Sequence, residues 1–319
     1  MSSMVTGGAG YIGAHVARSF LNAGVDVVVY DDLSLGRREF VPEGAGFVQG
    51  SILDESRMSG AFAEHGVSGV VHLAALKYAG VSVERPLDFY ETNVEGTRKL
   101  ISAMVSGNVP NFVFSSSAAI FGTPDVEIVD EDTAKQPESP YGETKLIGEW
   151  LISDAARIAP LNHCSLRYFN VVGSGDPTVY DVSPYNLFPA VFGALTEGRR
   201  PKVNGTDYPT ADGTCVRDYI HVQDVADAHV AVAQALERGD DIAPAYNIGT
   251  GSGTSVLQIM ETMKNVIPSL EWDEAERRPG DPAQIVTSSK RLADDLGWTS
   301  QYDLADMVSS AWEAWQASH

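Results

Sequence analysis

Short apolar runs alternate with amphipathic stretches through the first half of the chain: DVVVY (26–30), GVVHLA (69–74), NFVFSS (111–116) and CSLRYF (164–169). Runs of this length, rich in valine and phenylalanine and lacking polar alternation, predict strands buried on both faces. The amphipathic stretches between them predict helices, so the pattern implies a parallel sheet wrapped by helices. YIGAHVARSFLNAG predicts a helix stopped at Gly24, and YGETKLIGEWLISDAARIA a longer one opened by Pro140 and closed before Pro160. After about residue 170 the texture changes. Glycines, prolines and tyrosines crowd residues 173–219, helices become shorter, and helical periodicity returns in DVADAHVAVAQAL and in the tail DLADMVSSAWEAW. The expected architecture is α/β, a doubly wound parallel sheet over residues 1–170 followed by a smaller α/β lobe over 171–319. No internal repeat or low-complexity segment interrupts it.

A chain of 319 residues, 44% hydrophobic and 20% charged, suits one large domain or two lobes sharing a core. Its formal net charge of -21 opposes binding to nucleic acid or an anionic membrane, so an anionic ligand must be held by local cations and backbone amides. Cys164 and Cys215 fit neither a disulfide framework nor a paired metal-ligand spacing, which suits a reducing compartment. The seven histidines show no H-x-H or H-E-x-x-H spacing and no G-x-S-x-G elbow exists, so neither a metal centre nor a serine-hydrolase site is expected. No apolar run reaches membrane-spanning length, and MSSMVTGG reads as a strand and glycine turn rather than a secretion signal; a cytoplasmic location is expected.

Directly after the first strand, TGGAGYIG places Gly7, Gly10 and Gly13 ahead of a helix. A lone glycine turn means little, but here strand, turn, helix and second strand follow one another, and Asp31 ends that second strand. Helix N-terminal amides favour a pyrophosphate, and a carboxylate at that distance accepts hydrogen bonds from an adenosine ribose. Asp31 would repel a 2′-phosphate, which favours NAD, while Arg37 and Arg38 leave NADP open.

The stretch SPYGETK sets Tyr141 and Lys145 four positions apart at the start of a helix. By itself the pair is equally a surface contact. With a nicotinamide nearby it acquires a role, because oxidising an alcohol requires a base for the hydroxyl proton. A free phenol, pKa about 10, is mostly protonated at neutral pH. The ammonium of Lys145 and the positive nicotinamide ring are both expected to favour phenolate at Tyr141. Ser117 ends a strand, on the side where such sheets present ligands.

These glycines, Asp31, Asn93 in TNVEGT, Ser117 and Tyr-x-x-x-Lys resemble the extended short-chain dehydrogenase/reductase superfamily, with its Rossmann-like fold. Within it the chain resembles the UDP-glucose 4-epimerase (UDP-galactose 4-epimerase) family almost from end to end. The resemblance is densest in LRYFNVVG, GTDYPTADGTCVRDYIHVQDVADAH, YNIGTGSGTSV and RRPGDPA. It implies inversion of C4 of a UDP-hexose through a transient 4-keto sugar, with NAD retained, in a homodimer whose C-terminal segments DVADAH and YNIG return to the first domain. Carried onto this chain, it implies NAD contacts from Gly7, Gly10, Tyr11, Ile12, Gly13, Asp31, Leu33, Ser51, Ile52, Leu73, Ala74, Lys77, Asn93, Tyr141, Lys145 and Phe169. For the UDP-sugar it implies Lys77, Ser117, Tyr141, Asn170, Asn186, Leu187, Arg217, Tyr219, Arg278, Asp281 and Ile285. Arginines 217 and 278 offer the cations a UDP pyrophosphate needs, and Asp281 can accept from the uridine ribose.

Several positions qualify the resemblance. Ser51 stands where the family usually has an aspartate near the adenine, which implies weaker NAD retention. SAAIFG lacks the threonine and tyrosine of the usual SATVYG, and Ile285 replaces a tyrosine associated with rejecting an N-acetyl group, so N-acetylhexosamines join the expected substrates. Ala118 and Ala119 cannot transfer protons, which disfavours the related dehydratases and decarboxylases. Other UDP-pentose or UDP-uronate epimerases and an ordinary nucleotide-sugar dehydrogenase remain open. A nucleotide-sensing regulator would be expected to have lost Tyr141 or Lys145.

Overall fold

The computed structural model describes residues 2–278 and 281–319. The first half runs β1 (Ser2–Thr6), α1 (Tyr11–Asn22), β2 (Asp26–Asp31), β3 (Gly46–Gln49), α2 (Glu55–His65) and β4 (Gly69–His72). It continues through α3 (Ala79–Glu84), α4 (Pro86–Phe89), a π-helical stretch Tyr90–Glu95, α5 (Gly96–Gly107), β5 (Asn111–Ser117), α6 (Pro140–Ala156) and β6 (Asn162–Tyr168). The second half adds β7 (Asn170–Val172), α7 (Leu187–Thr196), β8 (Lys202–Asn204), β9 (Val216–His221), α8 (Val222–Arg238) and β10 (Ala245–Ile248). It closes with β11 (Gly253–Ser255), α9 (Val256–Val266), β12 (Asp273–Ala275), β13 (Gln284–Ile285), α10 (Lys290–Leu296) and α11 (Leu304–Ser318).

Seven strands form one sheet in the order β10-β6-β5-β4-β1-β2-β3, and every pairing is parallel. Successive side chains point to opposite faces, and here both faces are apolar. Val5, Val29, Val71, Val113 and Leu166 pack under α1, α8 and α10. Their neighbours Met4, Val28, Val70, Phe112 and Phe114 pack under α2, α5 and α6. Each such side chain contributes about 1.5–3 kcal/mol when fully buried, so the strands need no polar alternation. The expected Rossmann-like parallel sheet is therefore the framework of the chain.

The order reverses between β1 and β4, and ligands of such sheets bind outside the carboxyl ends of the strands at that crevice. α8 lies against α1 and β10 extends the sheet beyond β6, so the chain returns to the first framework after residue 220. α8 covers the expected periodic stretch DVADAHVAVAQAL and, at 17 residues, is as long as α6. Its alternating apolar face is buried on the sheet, which is what sustains its length. A second core gathers Phe188, Phe192, Tyr219, Met260, Met263 and Val308 around α7, α9 and α11. Over it β9 pairs with β11, β13 and β7, and β8 pairs with β12. No helix among the described residues is long and apolar enough to cross a membrane.

Candidate active site

The glycine turn sits at the carboxyl end of β1. Gly7 has φ +71°, and a side chain there would press a Cβ to 2.7 Å from the Ala74 nitrogen. At Gly13 a Cβ would stand 2.1 Å from the Gly7 carbonyl oxygen, so α1 approaches the turn only with glycine present. α1 begins without a side-chain cap, leaving first-turn amides for a ligand. Asp31 closes β2, buried, with one carboxylate oxygen accepting from Ala9 N at 3.0 Å and the other from Leu33 N at 2.8 Å. A carboxylate offers about four acceptor positions, so two remain for ribose hydroxyls. Leu33 carries φ +62°, a left-handed conformation that a leucine adopts only where its surroundings impose it. Leu73 and Ala74 follow β4 and donate to Thr6, while Ile52 fills the space over Gly96. This uncapped, glycine-lined cradle with an acidic side chain at the next strand end fits a dinucleotide.

From α1 a cavity of about 390 Å³ runs across the sheet's carboxyl edge into the C-terminal lobe. Tyr11, Ile12, Lys77, Ser117, Tyr141 and Phe169 line its sheet end, and Asn170, Asn186, Leu187, Arg217, Tyr219, Arg278 and Asp281 its far end. Thirteen residues expected from sequence thus share one wall. Sequence reasoning missed Tyr168, Tyr185, Lys202, Asn204, Cys215 and Val256, which also line it. β8, which carries Lys202 and Asn204, is three residues long and shows no periodicity to find.

α6 starts at Pro140, capped by Ser139, whose hydroxyl accepts from Gly142 N at 3.2 Å. Tyr141 is thereby placed at the helix mouth, on the same cavity wall as Ser117 and with its ring edge-on to Phe89 at 6.5 Å. Burial pushes the phenol above its ordinary value, and the neighbouring Ser117 hydroxyl pulls part of the way back. Lys145 is buried, its Nζ donating to the Ser115 carbonyl at 2.8 Å and lying 5.9 Å from the centre of the Tyr141 ring. With no carboxylate beside it, burial lowers the amine to about 7. In the chain alone the amine is turned toward a carbonyl and the phenol stays raised; the push toward phenolate expected from Lys145 concerns the site with a nicotinamide ring beside it.

Asn93, in the π-helical stretch, does not reach the cavity wall. Its amide spans Leu76 N at 2.8 Å, Leu76 O at 3.0 Å and Thr144 Oγ1 at 3.0 Å, tying the segment after β4 to α6. Ile285 also lies off the wall, packed with Phe169 against Ile120, Phe121, Val129 and Leu146. Ser51 accepts from Leu53 N at 3.2 Å just past β3.

At the far end Arg217, 11% exposed, forms an ion pair with Asp281, and its second Nη donates to the Val216 carbonyl at 2.7 Å. Arg278 forms no ion pair among the described residues, which distinguishes it in a protein where most arginines are matched to carboxylates. Asn186 donates to Asp181 at 2.6 Å, and Lys77 lies 3.8 Å from the same carboxylate. No cluster of three or more metal-ligating side chains occurs among the described residues.

Residues 3–249 match the NAD dependent epimerase/dehydratase family. The chain is 40% identical to a UDP-glucose 4-epimerase of Rhizobium leguminosarum bv. trifolii, over 98% of this chain and 97% of that one. Its fold superposes on UDP-glucose 4-epimerase from Brucella ovis in complex with NAD with a TM-score of 0.93, at 37% identity and 97% coverage of each chain. The enzyme from Bifidobacterium longum in complex with NAD+ and UDP gives a TM-score of 0.90 at 34% identity, covering 100% of this chain and 98% of that one.

Proposed function

The chain belongs to the NAD dependent epimerase/dehydratase family, within its UDP-glucose 4-epimerases, and from that membership we infer that it interconverts UDP-galactose and UDP-glucose by inverting C4. It is an NAD-dependent isomerase. The observation that carries the reading is one cavity that runs from Tyr11 and Ile12 at the start of α1, past Ser117 and Tyr141, to Arg217 and Arg278.

NAD, when bound, supplies the acceptor for the C4 hydride and a positive ring that favours phenolate at Tyr141. Tyr141 takes the proton of the 4-hydroxyl and later returns one. Ser117, beside the phenol on the cavity wall, orients that hydroxyl and relays the proton. Lys145 holds Tyr141's helix to β5 through the Ser115 carbonyl and supplies charge when protonated. Arg217, Arg278 and Asp281 grip the UDP, so the 4-keto sugar can turn its other face while the nucleotide stays fixed. We place the division between the NAD part and the nucleotide-sugar lobe near residue 170, and assign N-acetylhexosamines as further substrates because Ile285 is smaller than tyrosine. The protein acts in the cytoplasm as a homodimer. Exposed Val83, Leu87 and Trp150 on the adjoining α3, α4 and α6 support a second copy there, and sedimentation of a Trp150→Glu variant tests it.

Incubating the purified protein separately with UDP-galactose and UDP-glucose, and following both sugars together with NADH absorbance, tests the activity. Interconversion without added reductant and without stoichiometric NADH release is expected. Free NADH accumulating in proportion to sugar consumed would make the protein a dehydrogenase.

A further inference from the structure

Tyr141, Lys145 and Glu149 occupy one face of α6 at successive four-residue steps, and each meets a different one of three consecutive residues ending β5. Tyr141 shares the cavity wall with Ser117, Lys145 donates to the Ser115 carbonyl at 2.8 Å, and Ser116 Oγ donates to Glu149 Oε1 at 2.6 Å. Two of these rungs belong to the catalytic set. The third does not touch the cavity, and it carries a charge that must be matched.

Arg167 of β6 matches it. Its Nε donates to Glu149 Oε1 at 2.9 Å and its Nη2 to Glu149 Oε2 at 2.6 Å, a two-pronged pairing with the side chains only 7% and 11% exposed. The strand register sets Ser116 directly opposite Arg167, so one carboxylate holds both strands to the helix. The guanidinium goes on to the Glu131 carbonyl at 3.3 Å and lies 5.7 Å from the centre of the Phe121 ring. Every side-chain nitrogen of Arg167 and both carboxylate oxygens of Glu149 are thus engaged.

A buried ion pair is a poor source of stability, since desolvating two charges offsets most of their attraction. What it fixes well is geometry, because two parallel hydrogen bonds define distance and angle together. We propose that Glu149, held by Arg167, is a positioning residue for the epimerase reaction: it sets the rotation and height of α6 over β5, and so the contact between the Tyr141 phenol and Ser117. Neither residue touches substrate. Shifting a reacting group by about 1 Å can cost about 100-fold in rate, so releasing this rung acts on turnover and leaves the remote nucleotide grip alone.

The inference rests on the epimerase reading, which the parent protein tests by its own turnover of UDP-galactose. In an active parent, the double variant Glu149→Leu/Arg167→Met removes both charges while keeping the volume. A kcat lowered about 10- to 100-fold is expected, with KM for UDP-galactose and Kd for UDP each within twofold of the parent and the melting temperature no lower. A folded double variant with kcat within twofold of the parent overturns the proposal, as does a loss confined to KM. Ser116→Ala provides the same test if the double variant does not fold. Removing that one hydroxyl is expected to lower kcat about threefold to tenfold at unchanged KM, and an unchanged kcat overturns the proposal.

Discussion

At the catalytic end of the cavity, the chemistry falls to Ser117, at the end of an interior strand of a seven-stranded sheet, and to Tyr141 and Lys145 on one face of a 17-residue helix. At the nucleotide end, Arg217 lies on a six-residue strand, Asp281 in a loop, and the partner strand β13 is two residues long. The first region is rigid because its elements are continuous and buried on both faces. The second depends on side-chain bonds to hold short pieces together: buried Asp218 accepts from Thr250 N at 2.8 Å, Gly251 N at 3.0 Å and Thr287 N at 3.3 Å, pinning one loop and the segment just past β13 to β9. The difference suits a reaction in which hydride and proton positions must be fixed while the nucleotide is admitted and released. It also separates the expected consequences of mutation: damage at the first end acts on turnover, damage at the second on affinity.

The largest effect is expected where this separation is most complete. Tyr141→Phe removes one hydroxyl and should lower kcat by about 10²- to 10⁴-fold, the range for losing a general acid–base, while UDP binding by calorimetry stays near the parent. A variant within threefold of the parent would mean that another group is the base. In the opposite direction, Arg217→Met should raise KM for UDP-galactose by ~10- to 100-fold, because hydrogen bonds to charged groups contribute about 1.5–3 kcal/mol. Turnover at saturation should change little. Asp281, which this variant leaves without its arginine, is 30% exposed and remains hydrated, so thermal unfolding should shift only slightly. Equal losses in kcat and affinity would erase the distinction between the two ends.

The same contrast explains what sequence could reveal. β2, β4, β5 and β6 announce themselves because strands buried on both faces are continuous apolar runs, and α6 because Pro140 and a capping serine mark its start. Ser117, Tyr141 and Lys145 were legible for that reason, being anchored to well-marked elements. β8, β12 and β13 have two or three residues each, too few for any period, so Lys202 and Asn204 were invisible. Arg217 and Asp281 were found through family resemblance, and their mutual pairing could not be read from it. Nor could the amine of Lys145, since its acidity depends on burial that no spacing encodes.

A smaller, selective effect is expected between the two ends. Ile285 packs against the same small core as Phe169, which lines the cavity, so the volume added by Ile285→Tyr is expected to press that shared core toward the sugar. Turnover of UDP-N-acetylglucosamine should fall about tenfold or more while UDP-galactose turnover survives. Equal loss of both, by product chromatography, would show that the substitution damages the shared core instead.

The smallest effect concerns the cofactor's far side. Ser51 lies just past β3, with its carbonyl accepting from the Tyr30 hydroxyl at 3.0 Å and its own hydroxyl accepting from Leu53 N at 3.2 Å. One oxygen is thus committed to the local turn, and the hydroxyl has a single hydrogen left to offer an adenosine. An aspartate at this position can keep the turn bond with one oxygen and present the other as a charged acceptor, in a crevice where Asp31 already accepts from two backbone amides. One added charge-assisted hydrogen bond, partly screened and set against repulsion from Asp31, should strengthen NAD retention by about threefold to tenfold. The parent should accordingly purify with part of its sites lacking NAD, and Ser51→Asp with more of them filled, measured by releasing and quantifying the nucleotide. UDP affinity and kcat per filled site should not move, since Ser51 touches neither end of the sugar cavity. Unchanged occupancy in a preparation that is not already saturated would show that the serine's single hydroxyl holds the adenosine as well as a carboxylate does.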